Sequence, residues 1–269
     1  MKPKPSSAFN PEQDGAATPA PHAAQRLPLR MLPQPDDTTC GPTCLQAVYN
    51  FYNDAMELDE VLEQIPRLPT GGTLTSILAR HALRRGYQAT IHTYNLQVFD
   101  PTWFELPPAE LARKLRTRSR YKRATKQRIA TKHYLKFLEE GGQFKFEDLT
   151  TGLIRHYVED RCIPILTGLS ATYLYRTPRE YGAASDFDDL RGDPAGHFVV
   201  LYGYNQATRE VLVADPLYPN PFAKTHHYLV NIDRVLCSIL LGILTYDANL
   251  LIIEPRDDKS ATRLDAPAK

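Results

Sequence analysis

The chain has 269 residues, enough for one domain with insertions or for two small domains, and its apolar content of 42% is ordinary for a soluble globular protein. Its 32 basic and 31 acidic residues nearly cancel, which excludes a strong overall field that would attract nucleic acid or a membrane surface. Four cysteines are too few for a disulfide scaffold in a chain of this length, so we expect a reduced, cytoplasmic setting.

The two ends of the chain are predicted to be tails. Residues 1–29 are rich in proline and alanine and contain no apolar run of the length that a signal peptide needs. We interpret them as a disordered segment, and residues 256–269 as a second one. The longest apolar run, VLCSILLGIL at 235–244, covers about half of a membrane span, so no membrane anchor is expected.

The first predicted helix begins at a cysteine. Gln34 opens a polar turn that leads to Cys40, and from Cys40 to about Asn53 apolar residues recur at helical spacing. Pro42 suits the first turn, where its missing N–H costs nothing. A thiol at this point feels the positive end of the helix dipole, which favours the thiolate. A structural turn, half of a metal site and a nucleophile all remain open at this point.

The next elements lead to a strongly basic segment. A short helix at 57–66, a helix ending near residue 86 and a strand at 87–94 precede it. Residues 110–136 contain eleven lysines and arginines and a single acidic residue, Glu110. No apolar face can be drawn at helical spacing between residues 116 and 128. We predict a basic helical insertion at about 107–140. It is either a solvated surface or the site of an acidic or polyanionic partner, and the lack of a base-stacking aromatic pattern disfavours nucleic acid.

The second half of the chain reads as strands with two helices. A helix at about 147–160 and a strand at 162–169 precede a polar loop at 176–196. Two apolar runs around the turn QATR then predict a β-hairpin, followed by a helix from residue 231 and a final strand ending at residue 255. Because helices and strands come in blocks, the sequence predicts an α+β fold with a mostly antiparallel sheet.

The hairpin carries the second half of a candidate site. If its turn is centred on Gln206, His197 and Asp215 are each nine residues away and lie directly opposite one another on one face. An aspartate there holds an imidazole in one tautomer. A change of one residue in the turn would instead place the two side chains diagonally or on opposite faces.

Together these residues predict a Cys-His-Asp site. Cys40 as nucleophile, His197 as base and Asp215 as orienting group would support acyl transfer. The backbone N–H of Cys40 and the side-chain amide of Gln34 would donate hydrogen bonds to the oxyanion. No metal or organic cofactor is needed. A zinc site at Cys40 would require further close ligands, for which only the histidine pair at 226–227 offers itself.

The motifs QPDDTTCGPTCL, GHFVVLYGYN and VLVADPLYPNP resemble, in this order, those of papain-like cysteine peptidases of the bacteriocin-processing, double-glycine leader type. The resemblance covers roughly residues 30–55 and 160–255. It implies a papain-like domain at 30–255 and a peptide or protein substrate, with roles for Cys40, His197, Asp215 and Gln34 as above. Such peptidases are usually fused to a transporter, and this chain has neither a membrane span nor a Walker A pattern. It therefore resembles the free-standing, soluble branch.

Other interpretations remain. The same triad would serve an acyl or peptidyl transferase, and a papain-like cleft without activity would make a peptide- or polyanion-binding module. The three other cysteines, Cys44, Cys162 and Cys237, lie in apolar surroundings and are expected in the core.

Overall fold

The structure is a computed structural model that describes residues 25–68, 71–121, 125–182, 184–245 and 247–256. The described part contains ten strands: β1 (Gln25–Arg26), β2 (Tyr87–Thr93), β3 (Gln143–Lys145), β4 (Ile165–Ser170), β5 (Glu180–Tyr181), β6 (Asp186–Phe187), β7 (Gly196–Asn205), β8 (Glu210–Ala214), β9 (His227–Asn231) and β10 (Asn249–Pro255).

The same residues contain eight α-helices: α1 (Cys40–Phe51), α2 (Leu58–Gln64), α3 (Thr75–Arg84), α4 (Pro108–Tyr121), α5 (Thr125–Glu139), α6 (Thr151–Arg155), α7 (Ala171–Tyr175) and α8 (Ile232–Leu241). Short 3-10 turns at Pro101–Trp103 and Gly242–Thr245 and a π turn at His156–Asp160 complete them.

Eight strands form one sheet in the order β3-β2-β10-β4-β7-β8-β9, with β1 paired to β7. All described pairings between strands of this sheet are antiparallel except that of β2 with β3. Strands β5 and β6 form a separate two-stranded hairpin in the loop before β7. The predicted α+β class, with a mostly antiparallel sheet, is confirmed.

The sheet is covered on both faces, and the alternation along its strands divides the core in two. In β7, Phe198 and Val200 pack into a cluster with α1, α3, α4 and α5, whereas Val199 and Leu201 pack into a second cluster with α6 and α8. Because both faces of the central strands are buried, these strands are nearly continuous apolar runs. The helix that begins at Cys40 therefore lies on the sheet, as predicted for the papain-like arrangement.

Part of the predicted N-terminal tail belongs to the described fold. Gln25 and Arg26 pair with β7, and Leu27, Leu29 and Met31 are buried in the first core cluster. Their alternation with exposed residues is the pattern of an extended segment on the core, so residues 25–29, which were predicted to lie in the tail, are part of the fold. The remainder of the predicted N-terminal tail, and the C-terminal tail after residue 256, lie outside the described residues.

The basic segment folds as a helical hairpin made of α4 and α5. Leu111 and Leu115 of α4, together with Tyr134 and Phe137 of α5, are buried in the first core cluster. The base of the predicted insertion is thus part of the main core, and those of its basic residues that the structure describes are exposed or half-buried. None of the described helices is long and apolar enough to cross a bilayer.

Candidate active site

Cys40 is the first residue of α1, and the turn before it fixes this starting point. The side chain of Asp36 accepts hydrogen bonds from the Thr38 N–H (2.8 Å) and hydroxyl (2.7 Å), while the Thr39 hydroxyl donates to the carbonyl of Asp36 (2.8 Å). The carbonyl of Thr39 then accepts the first helical bond, from the N–H of Thr43 at 3.1 Å. This hydrogen-bonded turn ends just before Cys40, so the thiol lies at the N-terminus of α1.

Gly41 lets the first turn of α1 approach its neighbours closely. A Cβ atom at Gly41 would lie 2.6 Å from Thr73 Cγ2 and 3.2 Å from Phe198 Cδ2, distances that require a neighbour to move. One turn later, the buried thiol of Cys44 donates to the carbonyl of Phe198 at 3.3 Å. Because Phe198 follows His197, these contacts hold the start of α1 against the start of β7. The prediction that Cys44 is a core residue is confirmed.

His197 Nε2 lies 2.8 Å from Asp215 Oδ1, and both side chains are buried. They are not directly opposite one another, so that part of the prediction is wrong. The register pairs Val200 with Ala214, and continuing it places residue 217 opposite His197. Asp215, two residues earlier, is a diagonal neighbour on the same face.

Two features set this register: the turn lies between Asn205 and Glu210, so it is centred beyond Gln206, and a β-bulge lies at Tyr202. Between the turn and the bulge, Gly203 pairs with Leu212; this register, continued, would place residue 218 opposite His197 and turn Asp215 to the other face. The extra residue shifts the pairing by one and returns both side chains to one face. The contact between His197 and Asp215 therefore depends on a local irregularity.

The Asp215 carboxylate accepts four hydrogen bonds. Oδ1 accepts from His197 Nε2 and from the Leu217 N–H (2.9 Å), while Oδ2 accepts from the hydroxyls of Tyr175 and Tyr228, each at 2.5 Å. Burial alone would raise the pKa of Asp215. The charge and hydrogen bond of His197 and the two phenol hydrogen bonds outweigh it and lower this pKa. Asp215 is therefore held as an anion in a buried position.

The imidazole of His197 is stabilised in its charged form. Burial lowers the pKa of His197, but the charge and hydrogen bond of Asp215, together with a side-chain hydrogen bond and charge interaction with Cys40, raise it to about 10. Asp215 and Cys40 are thus both interaction partners of one buried imidazole. An imidazolium between a carboxylate and a sulfur is the arrangement that nucleophilic thiol chemistry uses.

Gln34 lies in the same region. Its backbone N–H donates to the carbonyl of Pro216 at 2.9 Å, which ties the loop before Cys40 to the residue that follows Asp215. Its side-chain oxygen is buried and has no hydrogen-bond partner among the described residues. The structure thus brings Gln34 to the turn that also positions Asp215.

Sequence reasoning missed the role of the two tyrosines. Tyr175 ends the short helix α7 and Tyr228 lies in β9, so neither stands in a motif near Asp215 along the chain. The prediction for two other cysteines was wrong: Cys162 and Cys237 are exposed. Cys162 lies ahead of β4 with a positive φ of 53°, and Cys237 is on the outward side of α8. An apolar run does not say which of its residues face the core.

A model of the Peptidase_C39-like family matches residues 26–232, more than half of the chain. No curated protein matches the sequence. Three solved structures are similar in shape: the peptidase domain of Streptococcus ComA, a bifunctional ABC transporter in a quorum-sensing pathway; a double-glycine motif protease from an AMS/PCAT transporter in complex with its leader peptide; and a protein described as a C39-like peptidase from Bacillus anthracis.

Their sequence identities to this chain are 14%, 12% and 12%, with TM-scores of 0.39, 0.40 and 0.43. The alignments cover 85%, 86% and 87% of this chain and 99%, 94% and 98% of the three structures.

Proposed function

The chain belongs to the Peptidase_C39-like family, and from that premise we propose that it is a cysteine peptidase that hydrolyses an amide bond of a peptide substrate. The catalytic residues of the proposal are Cys40, His197 and Asp215, with Gln34 at the oxyanion site. The observation that carries it is the chain of contacts from Cys40 through His197 to a buried, fully hydrogen-bonded Asp215.

In the first half of the reaction, the protonated imidazole of His197 acts as the proton donor. The sulfur of Cys40 attacks the scissile carbonyl carbon, and the negative charge moves to the carbonyl oxygen. The backbone N–H of Cys40 and the side-chain amide of Gln34 stabilise that oxyanion. As the C–N bond breaks, His197 gives its proton to the leaving amine, and an acyl group remains on the sulfur.

The second half restores the enzyme. His197, now neutral, takes a proton from a water molecule, whose oxygen attacks the thioester carbon. The acid product leaves, and the sulfur and the imidazolium are again an ion pair. Asp215 remains ionised in both halves of the reaction because its four donors stay in place. It therefore orients the imidazole of His197 and stabilises the imidazolium whenever His197 is protonated.

The experiment compares two buried thiols that lie one turn apart. Wild type, Cys40→Ala and Cys44→Ala are incubated with a mixed peptide library, and new termini are identified by mass spectrometry. We expect products from wild type and from Cys44→Ala, because Cys44 is engaged with a backbone carbonyl, and none from Cys40→Ala. Products at wild-type level from Cys40→Ala would contradict the mechanism.

The same experiment separates hydrolysis from acyl transfer. With a small amine such as glycinamide added, a hydrolase gives products that have gained water. A transferase instead gives products that carry the added amine at the new carboxyl end. If folded wild type bound peptides from the library and left all of them intact, the binding module would replace the peptidase.

A further inference from the structure

A second candidate site lies on the basic hairpin. A groove of about 530 Å³ runs along α5, with Ser119 of α4 on its border. Arg128, Lys132 and Lys136 supply its cations, and Ile129 and Leu135 supply aliphatic surface.

The two helices that form this groove, α4 and α5, are packed against the hydrophobic core. Leu115 of α4 and Phe137 of α5 are fully buried, and the hydroxyl of Tyr134 accepts from the Asn249 side-chain amide at 3.2 Å. The two helices are therefore fixed to each other and to β10 at their base. A groove between fixed helices is presented in one shape, which lowers the entropic cost of binding.

The charges of the groove are arranged in a row and are not neutralised. Arg128, Lys132 and Lys136 follow one another at intervals of four residues, so they share one face of α5 over about 12 Å. None of the three forms an ion pair with another residue of the described segments. The carboxylate at the groove, Glu139, is engaged by Arg116 at 2.8 Å.

The combination of cations and aliphatic surface selects the occupant. A nucleic acid would use the cations but would find no aromatic surface among the groove residues on which a base could stack. An isolated phosphate would leave Ile129 and Leu135 uncovered. A polypeptide helix with carboxylates at intervals of three or four residues, and apolar residues between them, matches both features.

We propose that the α5 groove docks an acidic, amphipathic segment of a partner polypeptide, with its carboxylates on Arg128, Lys132 and Lys136 and its apolar side chains on Ile129 and Leu135. This docking is separate from the chemistry at Cys40, and it does not require the chain to be a peptidase.

The test measures binding to the full chain by fluorescence anisotropy at low and moderate salt. The probe is a fluorescein-labelled helical peptide with glutamates on one side and leucines beside them. A second peptide replaces the leucines by serine, and a third probe is a single-stranded oligonucleotide of the same charge. The groove variant Arg128→Glu/Lys132→Glu is compared with Arg113→Glu/Lys114→Glu, which reverses one arginine and one lysine on a part of α4 that does not line the groove.

We expect the groove variant to weaken binding of the glutamate–leucine peptide by about tenfold or more and the control variant by less than about threefold. The serine peptide should also bind at least about tenfold more weakly, because the aliphatic contact is lost. Equal loss in both variants would overturn the proposal in favour of diffuse charge attraction. Tighter binding of the oligonucleotide than of the glutamate–leucine peptide would also overturn it. So would equal affinities of the leucine and serine peptides. Thermal melts of both variants show that the comparison is between folded proteins.

Discussion

Two buried aspartates in the described part of the chain have opposite electrostatic character. Asp215 is surrounded by four donors, one of them a charged imidazole, and its pKa is lowered. Asp247 contacts the N–H and the hydroxyl of Thr75, at the long distances of 3.4 and 3.3 Å, in the first turn of α3. Burial raises the pKa of Asp247 to about 7, and the hydrogen bonds of Thr75 only partly oppose it.

The comparison teaches that burial alone favours a neutral carboxyl, and that donors decide whether a buried carboxylate stays charged. Asp215 has the donors and a cation, so it suits the role of a permanent counter-charge. Asp247 accepts two long hydrogen bonds from the first residue of α3, so its role is to cap the N-terminus of that helix. The following predictions separate these two roles, from the largest expected effect to the smallest.

Replacing the two carboxyls by amides is expected to affect activity very differently. Asp215→Asn should lower kcat/KM by about a thousandfold or more, because an amide neither stabilises the imidazolium nor fixes its tautomer. Asp247→Asn should change kcat/KM by less than about threefold, since its amide oxygen still accepts from Thr75. The kinetics of both variants, on a peptide found in the library screen, check this contrast. A comparable loss in the two variants would remove the distinction.

The stability of the fold should depend on pH through Asp247. A carboxyl whose pKa is raised in the folded state holds its proton more tightly there, so its contribution to stability falls as the pH rises from about 4 to about 7. The shift corresponds to roughly 2–4 kcal/mol once some relaxation of the site is allowed.

Urea unfolding at pH 5 and pH 8 measures this effect. Asp247→Asn should gain stability relative to wild type as the pH rises. Asp215 has a lowered pKa, so its contribution is present above about pH 4 and is lost only as the pH falls through the folded-state value. Asp215→Asn should therefore be less stable than wild type at both pH values. A gain in stability from Asp215→Asn at pH 8 would show that its donors do not compensate for burial.

Removing one phenol from Asp215 tests whether the donors act as described. Tyr175→Phe and Tyr228→Phe keep the rings, including their contacts with Phe222 at 5.6 and 5.1 Å between centroids. Each should lower kcat/KM by about tenfold and shift the acid limb of its pH profile upward, because Asp215 becomes easier to protonate. Tyr202→Phe, at a buried tyrosine of β7, is the matched control and should leave the profile in place. An unchanged acid limb in both Asp215 variants would mean that the tyrosines only pack.

The sequence was sufficient for the elements but not for the details that bring the site together. The start of α1 at Cys40 follows from Gly41 and Pro42, and the antiparallel sheet follows from apolar runs around short turns. The partnership of His197 with Asp215 was foreseen, but for a turn centred on Gln206; the turn lies between Asn205 and Glu210, and the bulge at Tyr202 then shifts the pairing by one residue. A bulge depends on how β7 is bent between its neighbours, which no local pattern of residues records.

The phenol donors to Asp215 could not be predicted from the sequence for a similar reason. Tyr175 lies in α7, 40 residues before Asp215, and Tyr228 lies in β9, 13 residues after it, and only the tertiary fold brings their hydroxyls to one oxygen. The basic hairpin shows the opposite limit. Its charge pattern was plain in the sequence, whereas the burial of Phe137 in the main core required the structure.

The most direct test of the account is the pH dependence of Cys40 alkylation by iodoacetamide, with and without His197. Cys44→Ala, Cys162→Ala and Cys237→Ala form the background, so that one thiol is measured, and His197→Ala is the comparison. We predict rapid labelling that persists at pH 6 and becomes at least about tenfold slower in His197→Ala, because the imidazolium is lost. Labelling that follows an ordinary thiol titration near pH 8.5 in both proteins would contradict an activated Cys40–His197 pair.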